Sequence, residues 1–272
     1  MRLDEEARDG IALGLGDIAV EAGRLLQGFE QRREFRTKAD GSPTTPADLA
    51  AEELILRRLA EAWPQVPAVA EETANAVLPG DLFFLVDPLD GTRDFLYGEG
   101  EYSVNIALVS AGRPVAAAVA SPALKKVWIA GASAKAAAIP PRGDVLDWAP
   151  VRVRAAPAGN LVALVSRRHG DEATDACLRE LSIGTLRTAS SAVKFCLIAS
   201  GEADVYVRCG PTMEWDTAAG DHVLTRAGGC VVAAGGSVMT YGHHARGYLN
   251  GPFAALGDAA LAPLLNLPLA AA

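Results

Sequence analysis

The acidic residues of this sequence stand in short motifs that are suited to holding divalent cations. The strongest motif is Asp87-Pro88-Leu89-Asp90-Gly91-Thr92, which directly follows the apolar run Leu82–Val86. Two carboxylates at the end of a buried strand can converge on one cation, and Gly91 lets the backbone approach a ligand closely. Pro and Gly are also turn formers, so the motif alone leaves a plain turn open.

Three further acidic segments are ambiguous when each is taken alone. The pair Glu71–Glu72 is typical of a solvated face. Asp216, in the segment 214–220, is equally suited to cap a helix. Asp48, at the start of a predicted helix, can simply complement the helix dipole. Together the segments supply acids without a compensating base beside them, and oxygen-only donors predict a hard cation, Mg²⁺ first.

Several carboxylates around one site predict more than one ion. Two ions about 3.5–4 Å apart activate water and stabilise a leaving oxygen in phosphate-ester hydrolysis. No Ser, Cys or His nucleophile motif competes with this chemistry. The cysteines are too widely spaced for zinc and are expected as packed free thiols; they are Cys177, Cys196, Cys209 and Cys230. The pair His243–His244 lies in a Gly-rich turn and is expected at the surface.

Composition and charge limit the partners. The 272 residues, 50% apolar and 21% charged, indicate a globular protein of one large domain or two fused lobes. A net charge of −8 disfavours binding to a nucleic acid polymer, and an anionic substrate would need a local cationic site. The apolar runs are shorter than the roughly 18–20 residues of a membrane helix. Met1–Glu6 lacks an apolar signal segment, so we expect a cytoplasmic protein.

Hydrophobic periodicity predicts an N-terminal α+β lobe, residues 1–140, and most of the candidate metal ligands fall within it. We predict a helix over Leu3–Phe29, a polar loop or hairpin over Arg36–Pro46, and a helix from Pro46, capped by Thr45, to Trp63. The apolar residues predicted to face inward on this second helix are Leu49, Leu54, Ile55 and Leu59. A mostly antiparallel sheet is predicted from the strands Leu82–Val86, Tyr102–Val109, Val115–Ala120 and Val127–Ala130, with a hairpin at Ser110–Pro114.

A C-terminal α/β lobe, residues 141–272, is predicted to contribute Asp216 to the metal site. The Pro- and Gly-rich segment Pro140–Pro157 is the candidate boundary between the lobes. Alternating elements are typical of an α/β layer; they are the strands Leu161–Ser166, Val205–Arg208 and Cys230–Ala233 and the helices Asp171–Leu181, Ser190–Ser200 and Asp216–Ala227.

The motifs Asp87–Thr92 and Trp215–Gly220 resemble the paired signatures of the inositol monophosphatase superfamily of Mg²⁺-dependent, lithium-sensitive phosphatases. The resemblance covers nearly the whole chain, to about Phe253. Within the superfamily, four segments are most similar to the 3′(2′),5′-bisphosphate nucleotidases of the CysQ type; they are Lys38–Asp48, Tyr102–Leu108, Ser190–Cys196 and Gly210–Asp216. Those enzymes remove the 3′-phosphate of adenosine 3′,5′-bisphosphate, a by-product of sulfate assimilation. The fold implied is α+β, a layered αβαβα sandwich.

The resemblance also implies roles for individual residues. The implied ligands of two or three Mg²⁺ ions are Glu71, Asp87, the carbonyl of Leu89, Asp90 and Asp216. Asp48 and Thr92 would orient and deprotonate the attacking water, with Glu71 as the third catalytic residue. The implied substrate contacts come from the amides of Gly91 and Thr92, which would hold the phosphate, and from Lys38, Ser190, Ser191 and Lys194.

Other functions stay open. One alternative is a phosphatase for inositol 1-phosphate or another sugar phosphate, and 3′-phosphoadenosine 5′-phosphosulfate is a possible second nucleotide substrate. Another alternative is a non-catalytic, metal-dependent phosphate-binding protein, which the presence of every acid and of Thr92 disfavours. The expected partner is a small phosphorylated molecule, and the expected state is a monomer or homodimer.

Overall fold

The elements of the fold were obtained from a computed structural model that describes residues 3–32, 34–39, 41–76, 78–98, 101–141, 146–167 and 170–269. The helices are α1 (Glu5–Gln27), α2 (Pro46–Ala62), α3 (Thr92–Tyr97), α4 (Glu172–Arg179), α5 (Val193–Ala199) and α6 (Ala218–Arg226). Short 3₁₀ helices cover Glu71–Ala76, Ala234–Gly236, His244–Arg246 and Ala259–Leu264. Across these ranges, no helix combines the length and apolarity needed to cross a membrane.

The strands fall into two main sheets and two short pairs. The first eight are β1 (Arg36–Thr37), β2 (Pro43–Thr44), β3 (Ala68–Ala70), β4 (Leu82–Asp90), β5 (Ser103–Ser110), β6 (Arg113–Ser121), β7 (Lys126–Ala130) and β8 (Ala134–Ala138). The others are β9 (Ala149–Pro150), β10 (Leu161–Val165), β11 (Ile183–Thr188), β12 (Val205–Arg208), β13 (Thr212–Met213), β14 (Cys230–Ala233), β15 (Leu249–Asn250) and β16 (Phe253–Leu256).

The larger sheet is covered by helices on both faces, which explains why the run Leu82–Val86 of β4 is apolar throughout. Its order is β3-β4-β5-β6-β7-β8-β9, and only the β3–β4 pair is parallel. Successive side chains of a strand point to opposite faces. Phe84 and Val86 therefore pack with α1 and α2, whereas Phe83 and Leu85 pack on the side of α5 and α6.

A second sheet lies beyond α5 and α6. Its order is β11-β10-β12-β16-β14, with β10, β11 and β12 parallel and β16 antiparallel to both of its neighbours. Tyr206 and Phe253 pack toward α5 and α6, and Val205 and Val207 pack on the opposite face with α4. The layers are thus α1–α2, sheet, α5–α6, sheet, α4, and the expected αβαβα sandwich is confirmed.

Most predicted helices and strands are confirmed to within a few residues. The hairpin at Ser110–Pro114 is a two-residue turn in which Ala111 and Gly112 both have positive φ, at 49° and 75°, as its type I′ geometry requires. The edge strand β11 was not predicted because its side chains are largely exposed and lack an apolar alternation.

The inward placement of Leu49 is wrong, since this side chain is 52% exposed. The buried stripe of α2 runs through Asp48, Glu52, Ile55 and Leu59 instead. These positions follow the spacing of one helix face. The N-terminal part of the core-facing stripe therefore carries acids, and Leu49, one position along, faces outward.

The lobe boundary after residue 140 stays a prediction. The last strand of the larger sheet is β9, at Ala149–Pro150, and the second sheet begins at Leu161 with β10. Residues 142–145 of the predicted boundary segment, and Met1–Arg2 of the N-terminal segment, lie outside the described residues.

Helices α5 and α6 pack closely at Gly220, where a Cβ atom would lie 2.6 Å from the ring of Phe195. We expect Gly220→Ala to lower the free energy of unfolding by about 1–3 kcal/mol, because the core is overpacked. The matched control is Gly10→Ala on the exposed side of α1, where a Cβ meets nothing within 4 Å. It should stabilise by about 0.5–1 kcal/mol through helix propensity. Urea unfolding of both variants measures this, and equal effects would contradict the packing argument.

Candidate active site

An irregularity in β4 places two of the predicted ligands side by side. Asp87 pairs with Asn105 of β5, but the next paired residue is Asp90, opposite Ser103. The register shift leaves Pro88 outside the ladder, where its missing N–H costs no hydrogen bond. The backbone N–H of Leu89 donates to Asp87 Oδ1 at 3.0 Å and fixes the bend.

Three carboxylates from two parts of the chain meet at this bend. Asp87, Asp90 and Asp216 each present an oxygen, and these oxygens lie within 4.8 Å of one another. Burial raises the pKa of all three, and neighbouring carboxylates add to the effect at Asp87 and Asp216, bringing the pKa of Asp216 to about 8. A cluster of oxygen donors held together against mutual repulsion fits a hard divalent cation. We call these three residues the aspartate cluster.

Glu71 is electrostatically part of the site, but its carboxylate also has a protein partner. Lys38 Nζ donates to Glu71 Oε1 at 2.6 Å and lies 2.7 Å from Glu72 Oε1. Burial raises the pKa of Glu71 to about 7, although the Lys38 ammonium lowers it. The charge of Glu71 in turn raises the pKa values of Asp87 and Asp216. Lys38, predicted as a substrate contact, is therefore placed as the counter-ion of the glutamate pair.

Asp48 uses its two carboxylate oxygens for two different purposes. Oδ2 accepts hydrogen bonds from Thr45 N at 2.7 Å and Thr45 Oγ1 at 2.6 Å, in a capping box that begins α2. Oδ1 accepts from Thr92 Oγ1 at 3.1 Å, and this hydroxyl also lies 3.1 Å from the carbonyl oxygen of Leu89. Burial raises the pKa of Asp48 despite these bonds. Asp48 therefore both caps the start of α2 and pairs with Thr92.

The turn that precedes α5 holds the end of β4 in place through hydrogen bonds. Ser191, at a φ of 60°, donates from Oγ to the carbonyl oxygen of Asp90 at 2.7 Å, and Ala192 N donates to Asp90 Oδ2 at 2.7 Å. Ser190 Oγ donates to Asp94 Oδ2 at 2.6 Å. The two serines line the cavity, but their hydroxyls serve to position Asp90 and Asp94.

The buried ammonium of Lys194 holds this turn. Its Nζ donates to the carbonyl oxygen of Ser191 at 2.8 Å and of Ala189 at 3.4 Å, and it lies 4.8 Å from the centre of the Tyr206 ring. Burial lowers its pKa to about 8, although Asp90 acts to raise it. Lys194 therefore supplies a positive charge beside the aspartate cluster.

Gly91 occupies a position that only glycine fits well. Its φ is 96°, and a Cβ there would lie 2.6 Å from Ser191 Oγ. It immediately precedes α3, whose first residue is Thr92. The amides of a helix's first turn have no partner within the helix, which agrees with the predicted role of Gly91 and Thr92 in holding a phosphate.

A cavity of about 350 Å³ opens over the site. The predicted residues that line it are Glu71, Asp90, Gly91, Thr92, Ser190, Ser191, Lys194 and Asp216, whereas Lys38, Asp48, Asp87 and Leu89 do not. The lining residues that were not predicted include Tyr206, Arg208, Pro211, Thr212, Met213 and Leu249. The sequence held a signal for one of them. Arg208, like Asp87, is a charged residue at the end of a predicted apolar strand.

Glu214 and the histidines lie near the site without joining the aspartate cluster. Glu214 is fully buried and accepts from His243 N at 3.1 Å, and its Oε1 lies 2.6 Å from His243 Nδ1. It therefore anchors the loop around His243 rather than facing a cation. His243 is half-buried and His244 is exposed. The cysteines are free, as expected, with Cys177 and Cys196 buried and the other two half-buried.

The sequence of this chain is similar to those of known proteins. The Inositol monophosphatase family profile matches residues 11–264. The 3′(2′),5′-bisphosphate nucleotidase CysQ of Salmonella typhimurium is 37% identical over 211 residues, or 76% of this chain and 83% of that protein. The protein of the same name from Buchnera aphidicola is 32% identical, over 87% of this chain and 89% of that protein.

Solved structures agree with the sequence relatives. The crystal structure of CysQ from Bacteroides thetaiotaomicron aligns with a TM-score of 0.76 at 30% identity, covering 91% of this chain and 97% of that one. An IMPase from Thermotoga maritima aligns with a TM-score of 0.77 at 20% identity, covering 94% and 95% of the two chains. This second likeness bears on the fold alone.

The raised pKa values predict how stability without metal depends on pH. The pKa of Asp216 is about 8 in the folded protein, against about 3.9 for an unperturbed Asp. Between these values the folded state binds more protons than the unfolded state, so stability falls as pH rises. With metal removed by a chelator, we expect the melting temperature to fall as the pH rises from about 5 to about 8. We expect Asp216→Asn to reduce the slope of melting temperature against pH. The exposed control Asp17→Asn should keep the wild-type slope. An equal dependence of melting temperature on pH in all three proteins would contradict the raised pKa of Asp216.

Proposed function

This chain belongs to the inositol monophosphatase family, and we propose that it is a Mg²⁺-dependent phosphomonoesterase that removes the 3′-phosphate of adenosine 3′,5′-bisphosphate. The observation that carries the proposal is the meeting of the Asp87, Asp90 and Asp216 carboxylates beside the Asp48–Thr92 pair, next to a cavity that Asp90, Thr92 and Asp216 line. The nucleotide is favoured by relatives named 3′(2′),5′-bisphosphate nucleotidase at 31–37% identity. We include 3′-phosphoadenosine 5′-phosphosulfate as a second substrate.

The residues proposed to hold two or three Mg²⁺ ions are the aspartate cluster, Glu71 and the carbonyl of Leu89. When bound, such ions neutralise the ester's charge, lower the pKa of a bound water and stabilise the leaving oxygen. The remaining tasks fall to the protein: the attacking water must be oriented, its proton taken up, and the phosphate kept in place.

Thr92 and Asp48 perform the proton transfer in this proposal. The Thr92 hydroxyl donates toward Asp48 Oδ1, so its lone pairs are free to accept a hydrogen bond from water. As water attacks, its proton moves to Thr92 Oγ1 while the hydroxyl's own proton moves to Asp48 Oδ1, so the hydroxyl is restored and Asp48 ends protonated. Burial raises the pKa of Asp48, which favours the protonated form that results. Because Thr45 holds Oδ2, the carboxylate accepts the proton without rotating.

The start of α3 is proposed to hold the phosphate. The amides of Gly91 and Thr92 point from a helix N-terminus, where an anion is stabilised. The Ser191 contact with Asp90 keeps this loop against α5, so the phosphate site keeps a fixed position relative to the aspartate cluster. The cytoplasmic location and the monomeric or dimeric state stay predictions.

A panel of phosphate-release assays tests the proposed substrate. We expect the highest kcat/KM with adenosine 3′,5′-bisphosphate, no release in EDTA, recovery with Mg²⁺, and inhibition by Li⁺. A higher kcat/KM with inositol 1-phosphate would favour the sugar-phosphate alternative. No release from any phosphomonoester would favour a non-catalytic binding protein.

Asp90 is the residue whose removal tests the proposed metal chemistry. Asp90→Asn keeps an oxygen to accept from Ala192 N but removes a negative charge, and we expect kcat to fall by roughly 10²–10³-fold. The control Asp17→Asn, on exposed α1 surface, should keep full activity. Circular dichroism and melting temperature check that both variants fold. Wild-type turnover of Asp90→Asn with unchanged Mg²⁺ dependence would refute the role of this carboxylate.

A further inference from the structure

The turn that carries Asp216 is attached to the loop of residues 241–248, which we call the histidine loop. The attachment is Glu214, whose side chain is fully buried. Its carboxylate accepts hydrogen bonds from the backbone N–H groups of Gly242 and His243, the second at 3.1 Å, and its Oε1 lies 2.6 Å from His243 Nδ1. An ionised carboxylate only accepts hydrogen bonds, so the imidazole donates from Nδ1. Three donors of one loop therefore compensate this buried charge.

The main chain of Glu214 joins the same loop to the start of α6. Its N–H donates to the carbonyl oxygen of Tyr248 at 2.8 Å, and its carbonyl oxygen accepts from Ala218 N at 2.9 Å. The next residue, Trp215, packs against Tyr248 with the ring centres 5.7 Å apart. Glu214 thus links the histidine loop to the first turn of α6, and Asp216 lies within the segment that is fixed in this way.

The carboxylate of Asp216 is held by the same turn. Met213 N donates to Asp216 Oδ2 at 2.9 Å, and Asp216 N donates to the carbonyl oxygen of Met213 at 3.2 Å. The buried Asn250 adds to this, because its Nδ2 donates to the same carbonyl oxygen at 2.9 Å. The direction of the Asp216 carboxylate therefore depends on where the turn of residues 213–216 lies.

The aspartate cluster needs this restraint because its members repel one another. Burial, followed by the charges of Asp90 and Glu71, raises the pKa of Asp216 to about 8. Asp87 and Asp90 belong to β4 in the larger sheet, whereas Asp216 lies in a turn between β13 and α6. A turn has fewer backbone hydrogen bonds to resist displacement than a strand paired on both sides. Asp216 therefore relies on contacts such as those of Glu214 to stay in place.

We propose that Glu214 is a positioning residue for Asp216 and that the histidine loop, acting through Glu214, sets the affinity of the site for divalent cations. This inference rests on the proposed function, since it takes Asp216 as a metal ligand. Groups that orient a ligand without touching the metal typically contribute roughly 10- to 100-fold to metal affinity or activity. Glu214 faces the donors of the histidine loop, so its replacement leaves the set of ligands intact and changes the position of one of them.

The test compares Mn²⁺ binding with catalysis in Glu214→Gln. The amide keeps the size of the side chain but replaces one acceptor with a donor that opposes the N–H groups of the histidine loop. We expect the Kd for Mn²⁺, measured without substrate from the electron paramagnetic resonance of the free ion, to rise by about 10-fold. The Mg²⁺ concentration for half-maximal phosphate release from adenosine 3′,5′-bisphosphate should rise similarly. The kcat at saturating Mg²⁺ should stay within about threefold of wild type, because the ligands themselves are unchanged.

A second variant tests the same link at its half-buried end. His243→Ala removes the imidazole donor and leaves both backbone N–H groups to Glu214. We expect the Kd for Mn²⁺ to rise by about two- to fivefold, the effect of one hydrogen bond. Should Glu214→Gln fail to fold, this variant decides the question, and a wild-type Kd in His243→Ala would then overturn the proposal.

The matched control is Asp204→Asn, which alters another buried carboxylate with three hydrogen bonds. Asp204 accepts from Arg154 Nε and Nη2 at 2.7 and 2.6 Å and from Val162 N at 2.7 Å. It precedes β12, at the opposite end of that strand from the cavity-lining Arg208. We expect Asp204→Asn to lower the melting temperature and to keep the wild-type Kd for Mn²⁺.

The outcomes separate this proposal from the wider one. A wild-type Kd for Mn²⁺ in folded Glu214→Gln, or an equal rise of the Kd in Asp204→Asn, would overturn the positioning role of Glu214. In both cases a wild-type protein that binds Mn²⁺ and releases phosphate would leave the proposed function standing. A wild-type protein that binds no Mn²⁺ would overturn both. Circular dichroism and melting temperature show which variants fold.

Discussion

The structure depends on keeping several buried carboxylates close together despite their repulsion. Isolated buried charges are costly, and like charges in one site are costlier still. The raised pKa values of Asp87, Asp90 and Asp216 express that cost. A cation among them would offset it, and this is why the arrangement indicates a binding site rather than a structural network. Packing and hydrogen bonds within the protein must therefore hold the carboxylate oxygens in place.

The layered fold supplies that support from both sides of the cluster. The larger sheet positions Asp87 and Asp90 through the register shift of β4 against β5. The layer formed by α5 and α6 positions Asp216 and fixes Asp90 through Ser191 and Ala192. The site lies where these layers meet, so its geometry requires the sandwich to be complete. Lys38 and Lys194 bring positive charge to its edges, beside Glu71 and Asp90 respectively.

The sequence allowed the aspartates to be predicted, because each stands at a recognisable boundary of an element. Asp87 follows an apolar strand and Asp48 follows a Thr-Pro helix start. Contacts made only in three dimensions were not predictable in this way. The pairing of Lys38 with Glu71 joins residues from separate segments, and the hydroxyls of Ser190 and Ser191 turn toward other protein groups. Leu49 was misplaced because acids take the buried stripe of α2, contrary to the usual preference for apolar residues at core-facing positions. Arg208 ends a predicted apolar strand, but its place on the cavity follows only from the fold.

Glu71, Asp87, Asp90 and Asp216 are proposed to form one shared set of ligands for divalent cations. The most direct measurement is anomalous X-ray diffraction from crystals grown with Mn²⁺, an ion that takes the same oxygen ligands as Mg²⁺. We expect anomalous peaks enclosed by these four carboxylates, with each carboxylate coordinating at least one peak. Ordered crystals at saturating Mn²⁺ that show no peak among them, or peaks only at other surface acids, would contradict the claim.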